Sequence, residues 1–177
     1  MTTGTAAPTF QLPDTDGREH DLASRAGSPA TVIVFTCNHC PYALAWHDRI
    51  AAVADDYAGR GIEVWCVSSN DAARFPADSP EAMRERVEAE GWRMPYLYDE
   101  TQDVARAYGA VCTPDFFGFD RELRLAYRGR LDSSGRSADA AAPRELLPAM
   151  AAIAQVNAAP AVQHPSIGCS IKWRRQA

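Results

Sequence analysis

The sequence lacks a long hydrophobic run, and it has almost no local excess of positive charge. Only residues 172–175, with the sequence KWRR, form a basic cluster, and the net charge of the 177 residues is −5. This balance argues against nucleic acid as a partner. Because no stretch is long and apolar enough to cross a bilayer, we expect no membrane partner either.

The first residues also lack the pattern of a secretory signal. Residues 1–7, MTTGTAA, have no basic start followed by an apolar stretch, so we expect a cytoplasmic location. Internal repeats and low-complexity segments are absent, and 46% apolar with 23% charged residues is an ordinary globular composition. We expect one domain over residues 1–177, with a core at about 8–158 and a C-terminal extension at 159–177.

Cysteine is scarce, and its few positions are informative. The five cysteines are Cys37, Cys40, Cys66, Cys112 and Cys169. In a reducing compartment, paired cysteines serve redox or metal chemistry more often than structural disulfides. Cys66 lies inside an apolar run at 62–67, where we expect it to be inert packing.

The order of periodic segments predicts an α/β fold. Apolar, β-branched runs predict strands at 31–35 and 62–67, and a shorter one at 96–98. Turn residues between apolar runs predict hairpins at about 10–22 and 115–128. Helical spacing predicts helices after residue 41 and at about 80–91, 102–108 and 144–157. We therefore expect a central mixed β-sheet flanked by helices, with an N-terminal hairpin and a C-terminal tail.

The sequence CNHCP at residues 37–41 lies where the strand at 31–35 gives way to a helix. Two cysteines separated by two residues can close a small reversible disulfide. A thiol at a helix N-terminus faces unpaired N–H groups, which stabilise the thiolate and lower its pKa from ~8.5 toward ~3.5–7.5. We predict that Cys37 is the exposed nucleophile at the helix start and that Cys40 resolves the mixed disulfide.

His39 lies between the two cysteines. An imidazole there would stabilise the Cys37 thiolate, and a more stable leaving thiolate makes a disulfide more oxidising. Thr113 and Pro114 precede the second predicted hairpin. A cis peptide bond at this proline would bring a backbone edge beside Cys37, where an extended substrate could pair.

Cys112 and Cys169 are additional candidate redox thiols. Cys112 lies two residues before Pro114, and Cys169 lies in a tail that could fold back over the site. Either could resolve a disulfide, or the two could pair with each other. Cys112 could equally be a small buried hydrophobe.

Four segments resemble the thioredoxin-like superfamily, and specifically its peroxiredoxin-like AhpC/TSA branch that carries a CxxC motif. They are FTCNHCPY at 35–42, YLYDETQ at 96–102, VCTPDFF at 111–117 and GCSIKW at 168–173. The resemblance extends over nearly the whole chain. It implies a thioredoxin-like fold, a cis Pro114 beside the dithiol, and either thiol–disulfide exchange or peroxide reduction.

The sequence departs from these relatives at two positions. Peroxiredoxins carry Thr or Ser three residues before the peroxidatic cysteine, whereas Val34 holds that position relative to Cys37, and Cys37 holds it relative to Cys40. Thioredoxins carry a buried carboxylate six residues before the first cysteine, and that position is Thr31 here. Proton transfer to Cys40 therefore has to rest on another group or on water.

Together these features predict a thiol–disulfide oxidoreductase. It would act on a protein or small-molecule disulfide, exchange electrons with a cellular dithiol, and need no cofactor. One alternative is a thiol peroxidase, in which peroxide oxidises Cys37 to a sulfenate. A non-enzymatic alternative is a soft-metal protein that binds copper or zinc through Cys37, Cys40 and His39, with Cys112 or Cys169.

Overall fold

The fold is given by a computed structural model that describes residues 1–137 and 139–175. The strands, in chain order, are β1 (Gln11–Pro13), β2 (Glu19–Asp21), β3 (Ala30–Phe35), β4 (Ile62–Ser68), β5 (Tyr96–Tyr98), β6 (Cys112–Thr113), β7 (Asp115–Asp120), β8 (Leu125–Gly129) and β9 (Cys169–Ser170). The α-helices are α1 (Pro41–Leu44), α2 (His47–Ala58), α3 (Pro80–Glu90), α4 (Asp103–Tyr108) and α5 (Leu146–Val156).

Five strands form the central sheet in the order β5-β4-β3-β7-β8. Strands β3, β4 and β5 run parallel to one another. Strand β7 pairs antiparallel with β3, and β8 pairs antiparallel with β7. The predicted mixed sheet is therefore confirmed. Strand β3 lies at the centre of the sheet, with Val34 opposite Cys66 of β4 and Phe116 of β7. The loop that follows β3 therefore lies near the middle of the end of the sheet at which β3, β4 and β5 terminate.

Both faces of β3 are buried, as its unbroken apolar sequence predicts. Val32 and Val34 face a cluster built with α2, α3 and α5, in which Ile50 and Met150 are buried. On the opposite face, Ile33 and Phe35 pack with α4, the β1–β2 hairpin and the end of the chain. Helices and terminal segments thus cover the sheet on both sides.

The helix predicted after residue 41 is divided into α1 and α2. The N–H of Trp46 bonds to the carbonyl of Ala43 at 2.9 Å, which tightens the last turn of α1. Helix α2 then begins at His47, and Ile50 bonds back to the carbonyl of Trp46. The predicted start of α3 is confirmed, since the Ser79 side chain accepts from the N–H of Ala82 at 3.3 Å.

The C-terminal extension has a defined course although its sequence shows no period. It contributes strand β9, which pairs antiparallel with β6, and it buries Ile171 against the sheet. The N–H of Lys172 donates to Asn70 Oδ1 at 2.7 Å. Among the described residues, no helix has both the length and the apolar character needed to cross a bilayer.

Candidate redox site

The CNHCP segment forms a loop between β3 and α1. Cys37 follows β3 by two positions, and Cys40 is the N-cap of α1 because Pro41 is its first helical residue. The prediction that Cys37 occupies the helix start is therefore wrong in this detail. Proline at the first helical position fixes the cap one residue earlier, and that residue is Cys40.

The sulfur atoms of Cys37 and Cys40 meet at Thr113. Cys37 Sγ lies 3.2 Å from Thr113 Oγ1, and Cys40 Sγ lies 3.7 Å from the Thr113 carbonyl oxygen. Both cysteines are free thiols with no exposed surface, so the prediction that Cys37 is exposed is also wrong. The structure nevertheless brings together the two predicted cysteines and one of the two predicted docking residues.

Hydrogen bonds around Cys40 favour its ionised form. The pKa of the Cys40 thiol is lowered because the Cys37 thiol donates to it, and because the Cys169 thiol and the backbone N–H of Ala43 also donate. The pKa of Cys37 is raised because its proton is held between the two sulfurs, because it is buried, and because Asp78 is negatively charged nearby. Of the two thiols, Cys40 therefore has the lower pKa.

Asp78 organises the residues between the two cysteines. Its carboxylate is fully buried, and it accepts from the backbone N–H of Asn38 at 2.6 Å, from Nδ1 of His39 at 2.5 Å and from Nδ2 of Asn70 at 2.9 Å. His39 also stacks on Phe75, with ring centroids 4.8 Å apart. The ring nitrogen predicted to support Cys37 is thus directed at a carboxylate.

Asp78 is a candidate functional residue that the sequence did not reveal. Thr31, at the position of the thioredoxin carboxylate, is buried with its hydroxyl unpaired. The missing acid comes instead from a 3₁₀ turn, Pro76–Asp78, that folds against the dithiol loop. Its position within a polar stretch before α3 gave no signal, because the contact joins segments about forty residues apart.

One group of side chains has donor atoms spaced for a metal ion. Ligand atoms of Cys37, His39 and Asp78 lie within 4.8 Å of one another. A thiolate, an imidazole and a carboxylate form a donor set that suits zinc better than copper(I). However, the carboxylate of Asp78 is already bonded to three nitrogen atoms, so a metal would have to replace some of those bonds.

The Thr113–Pro114 peptide bond is cis, as expected. Thr113 and Cys112 form β6, whose edge is paired with β9 in the register Thr113–Cys169 and Cys112–Ser170. The backbone edge predicted to receive an extended substrate is therefore covered by the chain's own C-terminal segment. Cys169 packs against the dithiol and is the only partly exposed thiol of that cluster.

The remaining two cysteines lie outside this cluster. Neighbouring residues of a strand point to opposite faces, so Cys112 points away from the side on which Thr113 meets the dithiol. Its Sγ donates to the Pro114 carbonyl at 3.6 Å, and burial raises its pKa to about 12. Cys66 is fully buried, and burial raises its pKa as well. Both have the properties of packing residues.

Known proteins are similar to this chain in sequence and in fold. The family model described as AhpC/TSA family matches residues 3–128. A crystal structure of an uncharacterized conserved protein from Geobacillus kaustophilus is 43% identical, with a TM-score of 0.92 over 99% of this chain and 94% of that one. The Mycobacterium tuberculosis protein named "Putative peroxiredoxin MT2597" is 28% identical over 67% of this chain and 70% of its own length.

More distant structures confirm the fold. The thioredoxin domain of a thiol-disulfide oxidoreductase from Bacteroides vulgatus superposes with a TM-score of 0.62 at 18% identity, covering 72% of this chain and 88% of that domain. At this identity the likeness concerns the fold alone. The predicted thioredoxin-like architecture, with a mixed sheet between helices, is therefore confirmed.

Proposed function

Because this chain belongs to the AhpC/TSA family, we propose that it is a thiol–disulfide oxidoreductase whose redox pair is Cys37 and Cys40. The observation that carries this proposal is the arrangement of the two sulfurs around Thr113, at 3.2 Å from its hydroxyl and 3.7 Å from its carbonyl. The donors to Cys40 add the ionised thiol that exchange requires.

We assign the attack to Cys40, whose pKa is lowered, and the resolving step to Cys37, whose pKa is raised. This assignment reverses the roles predicted from the sequence. The Cys40 thiolate attacks one sulfur of a substrate disulfide, forms a mixed disulfide and releases the first substrate thiolate. Cys37 then loses its proton and attacks Cys40 Sγ. The Cys37–Cys40 disulfide forms, the second substrate thiolate leaves, and the two electrons of the dithiol have passed to the substrate.

His39 and Asp78 supply a proton acceptor for the second step. Their ligand atoms lie within 4.8 Å of Cys37 Sγ, and the Asp78 charge is one cause of the raised Cys37 pKa. A thiol with a raised pKa needs a nearby base before it can attack. We therefore assign the His39–Asp78 pair to proton transfer with Cys37, whereas the sequence predicted only that His39 would stabilise the Cys37 thiolate.

The docking role predicted for Thr113 and Pro114 would require displacement of β9 from this edge. Thr113 positions both sulfurs, whereas strand addition at its backbone competes with β9 for the same edge. A substrate disulfide has to approach past this segment.

The partners in this scheme are a disulfide substrate and a cellular dithiol. A cytoplasmic location and a single domain over residues 1–177 stay predictions, which cell fractionation and limited proteolysis test.

Insulin-disulfide reduction tests the proposed activity. The wild-type protein, reduced in advance, should cleave insulin disulfides catalytically with a dithiol reductant present, and Cys40→Ser should abolish this activity. Cys66→Ala is the matched control, because Cys66 lies in the apolar core away from the pair, and it should retain the activity. A Cys40→Ser protein that reduces insulin at the wild-type rate would overturn the proposal.

Thiol peroxidase activity is the second candidate, favoured by the family match and by the name of the Mycobacterium tuberculosis relative. In this reaction peroxide oxidises the Cys40 thiolate to a sulfenate, and Cys37 condenses with it to give water and the disulfide. Rapid peroxide consumption with a dithiol reductant, together with no insulin reduction, would place this reaction first.

Metal binding is the third candidate, and the spacing of Cys37, His39 and Asp78 is the observation that favours it. Metal analysis of protein purified without oxygen or chelators decides the matter. Stoichiometric zinc or copper that is lost in Cys37→Ser would support a metal carrier. A metal content far below one per chain would remove this candidate.

A further inference from the structure

Strand β9 holds Cys169 at the place where a substrate strand would pair. Thr113 lies opposite Cys169 in the register of β6 and β9. Residues opposite each other in an antiparallel pair project to the same face, so the Cys169 side chain is on the dithiol side of β6. It packs against the buried cluster of Cys37, Cys40 and Ala43, and the neighbouring Cys40 sulfur raises the pKa of its thiol.

The fit of β9 to this edge is specific. A Cβ atom on Gly168 would overlap the carbonyl carbon and oxygen of Thr113, so only glycine allows the segment to lie this close. Beyond β9, Ile171 is buried in the core. The carbonyl of Lys172 accepts from the side chain of Gln102 at 3.0 Å. The strand is therefore anchored on both sides of Cys169.

We propose that Cys169 is a third redox thiol, which exchanges disulfides with Cys40 and connects the buried pair to solution. The proposal rests on the proposed redox function of Cys37 and Cys40. Cys37 and Cys40 both lie beside Thr113, and Cys169 packs against the cluster that contains them. Cys169 is the only one of the three with exposed surface.

The exchange needs no added oxidant. Starting from the Cys37–Cys40 disulfide, the Cys169 thiolate attacks Cys40 Sγ. The Cys37–Cys40 bond breaks, the Cys40–Cys169 bond forms, and Cys37 takes up the proton that Cys169 lost, so the oxidation state is unchanged. A dithiol from solution can then attack the exposed Cys169 sulfur, release Cys40 as its thiolate and close its own disulfide.

The Cys37→Ser variant isolates this exchange. It is reduced, equilibrated with oxidised glutathione, quenched in acid, alkylated and digested with trypsin. Cleavage after Arg25, Arg49, Arg144 and Lys172 gives peptides 26–49 and 145–172, each with one cysteine in this variant. We expect a disulfide between these two peptides as the main product. A folded variant that carries only glutathione on Cys40 would overturn the proposal.

Substitution at Gly168 tests whether the fit of β9 matters. In the Cys37→Ser background, Gly168→Ala should lower the yield of the linked peptides about tenfold, because thiol exchange depends on close alignment of the sulfurs. Gly135→Ala is the matched control, since a Cβ there meets nothing within 4 Å, and it should leave the yield unchanged. An equal yield in both variants would contradict a role for β9.

Reduction kinetics test the connection to solution. Oxidised wild-type protein and oxidised Cys169→Ser are reduced by dithiothreitol, and the variant should react about tenfold more slowly because its disulfide is buried. Equal rates would remove Cys169 from the path.

If the wild-type digest shows no Cys37–Cys40 disulfide at all, the proposed function itself fails. If it does, and only the Cys169 link is missing, then only this inference fails.

Discussion

The carboxylate of Asp78 lies 2.6 Å from the backbone nitrogen of Asn38, the first residue between the two cysteines. This bond ties the dithiol loop to a turn about forty residues away, and the same carboxylate holds His39. The loop that carries the thiols therefore depends on an acid that no local pattern connects with it.

Asp78→Asn should affect both stability and the second chemical step. Loss of a buried, charge-assisted hydrogen-bond acceptor should lower the free energy of unfolding by about 1–3 kcal/mol. Without its base, Cys37 should resolve mixed disulfides more slowly, so the Cys40 mixed disulfide should accumulate in stopped reactions analysed by mass spectrometry. The surface variant Asp55→Asn serves as control. Unchanged resolution in folded Asp78→Asn would remove the acid from the mechanism.

The thiolate of Cys40 should be visible in a pH titration of the reduced protein. Absorbance at 240 nm reports ionised thiol. The lowered pKa of Cys40 predicts one transition well below the ~8.5 of a free cysteine. This transition should vanish in Cys40→Ser and persist in Cys37→Ser, whose hydroxyl can still donate. A transition that vanishes instead in Cys37→Ser would restore the roles predicted from the sequence.

Substrate trapping separates the roles of the two thiols by a different route. With Cys37→Ser, a substrate disulfide should remain attached to Cys40, because the resolving thiol is missing. With Cys40→Ser, the raised pKa of Cys37 should make attachment slow. Intact-mass measurement after exposure to a model disulfide gives both yields. Faster trapping on Cys37 than on Cys40 would exclude Cys40 as the nucleophile.

His47 should make stability depend on pH in acid. Burial lowers the pKa of His47 to about 4, and its Nε2 lies 3.2 Å from Thr36 Oγ1. In the unfolded chain His47 becomes protonated below about pH 6.5, whereas in the folded chain it becomes protonated only near pH 4. Stability should thus fall by about 3 kcal/mol over this interval as pH drops. Urea unfolding of wild type and His47→Gln measures it, and an identical pH dependence in both would refute the assignment.

Local patterns were sufficient for most of the fold. The continuously apolar run at 31–35 predicted a strand buried on both faces, and Ala30–Phe35 is that strand. The turn residues around Asp16 and Gly17 predicted the hairpin formed by β1 and β2. Such features are set by neighbouring residues, so the sequence displays them directly.

The features that were missed depend on contacts between distant segments. Packing against Thr113 of β6 and Cys169 of β9 leaves both thiols buried. The contact of Asp78 with the loop, and the pairing of Cys169 opposite Thr113, join residues far apart in the chain. No periodicity or turn signal in the sequence indicates such contacts. The four matching segments nevertheless placed four of the cysteines in one family pattern.

The redox equilibrium of the Cys37–Cys40 couple tests the central claim most directly. The protein is equilibrated in glutathione buffers of graded potential, quenched and digested, and peptide 26–49, which contains both cysteines, is followed by mass. We expect a single reversible two-electron transition. Its midpoint reduction potential should lie between about −120 and −270 mV, the range of thioredoxin-like dithiols. Two thiols that stay free, or that take up glutathione independently, across this whole range would contradict it.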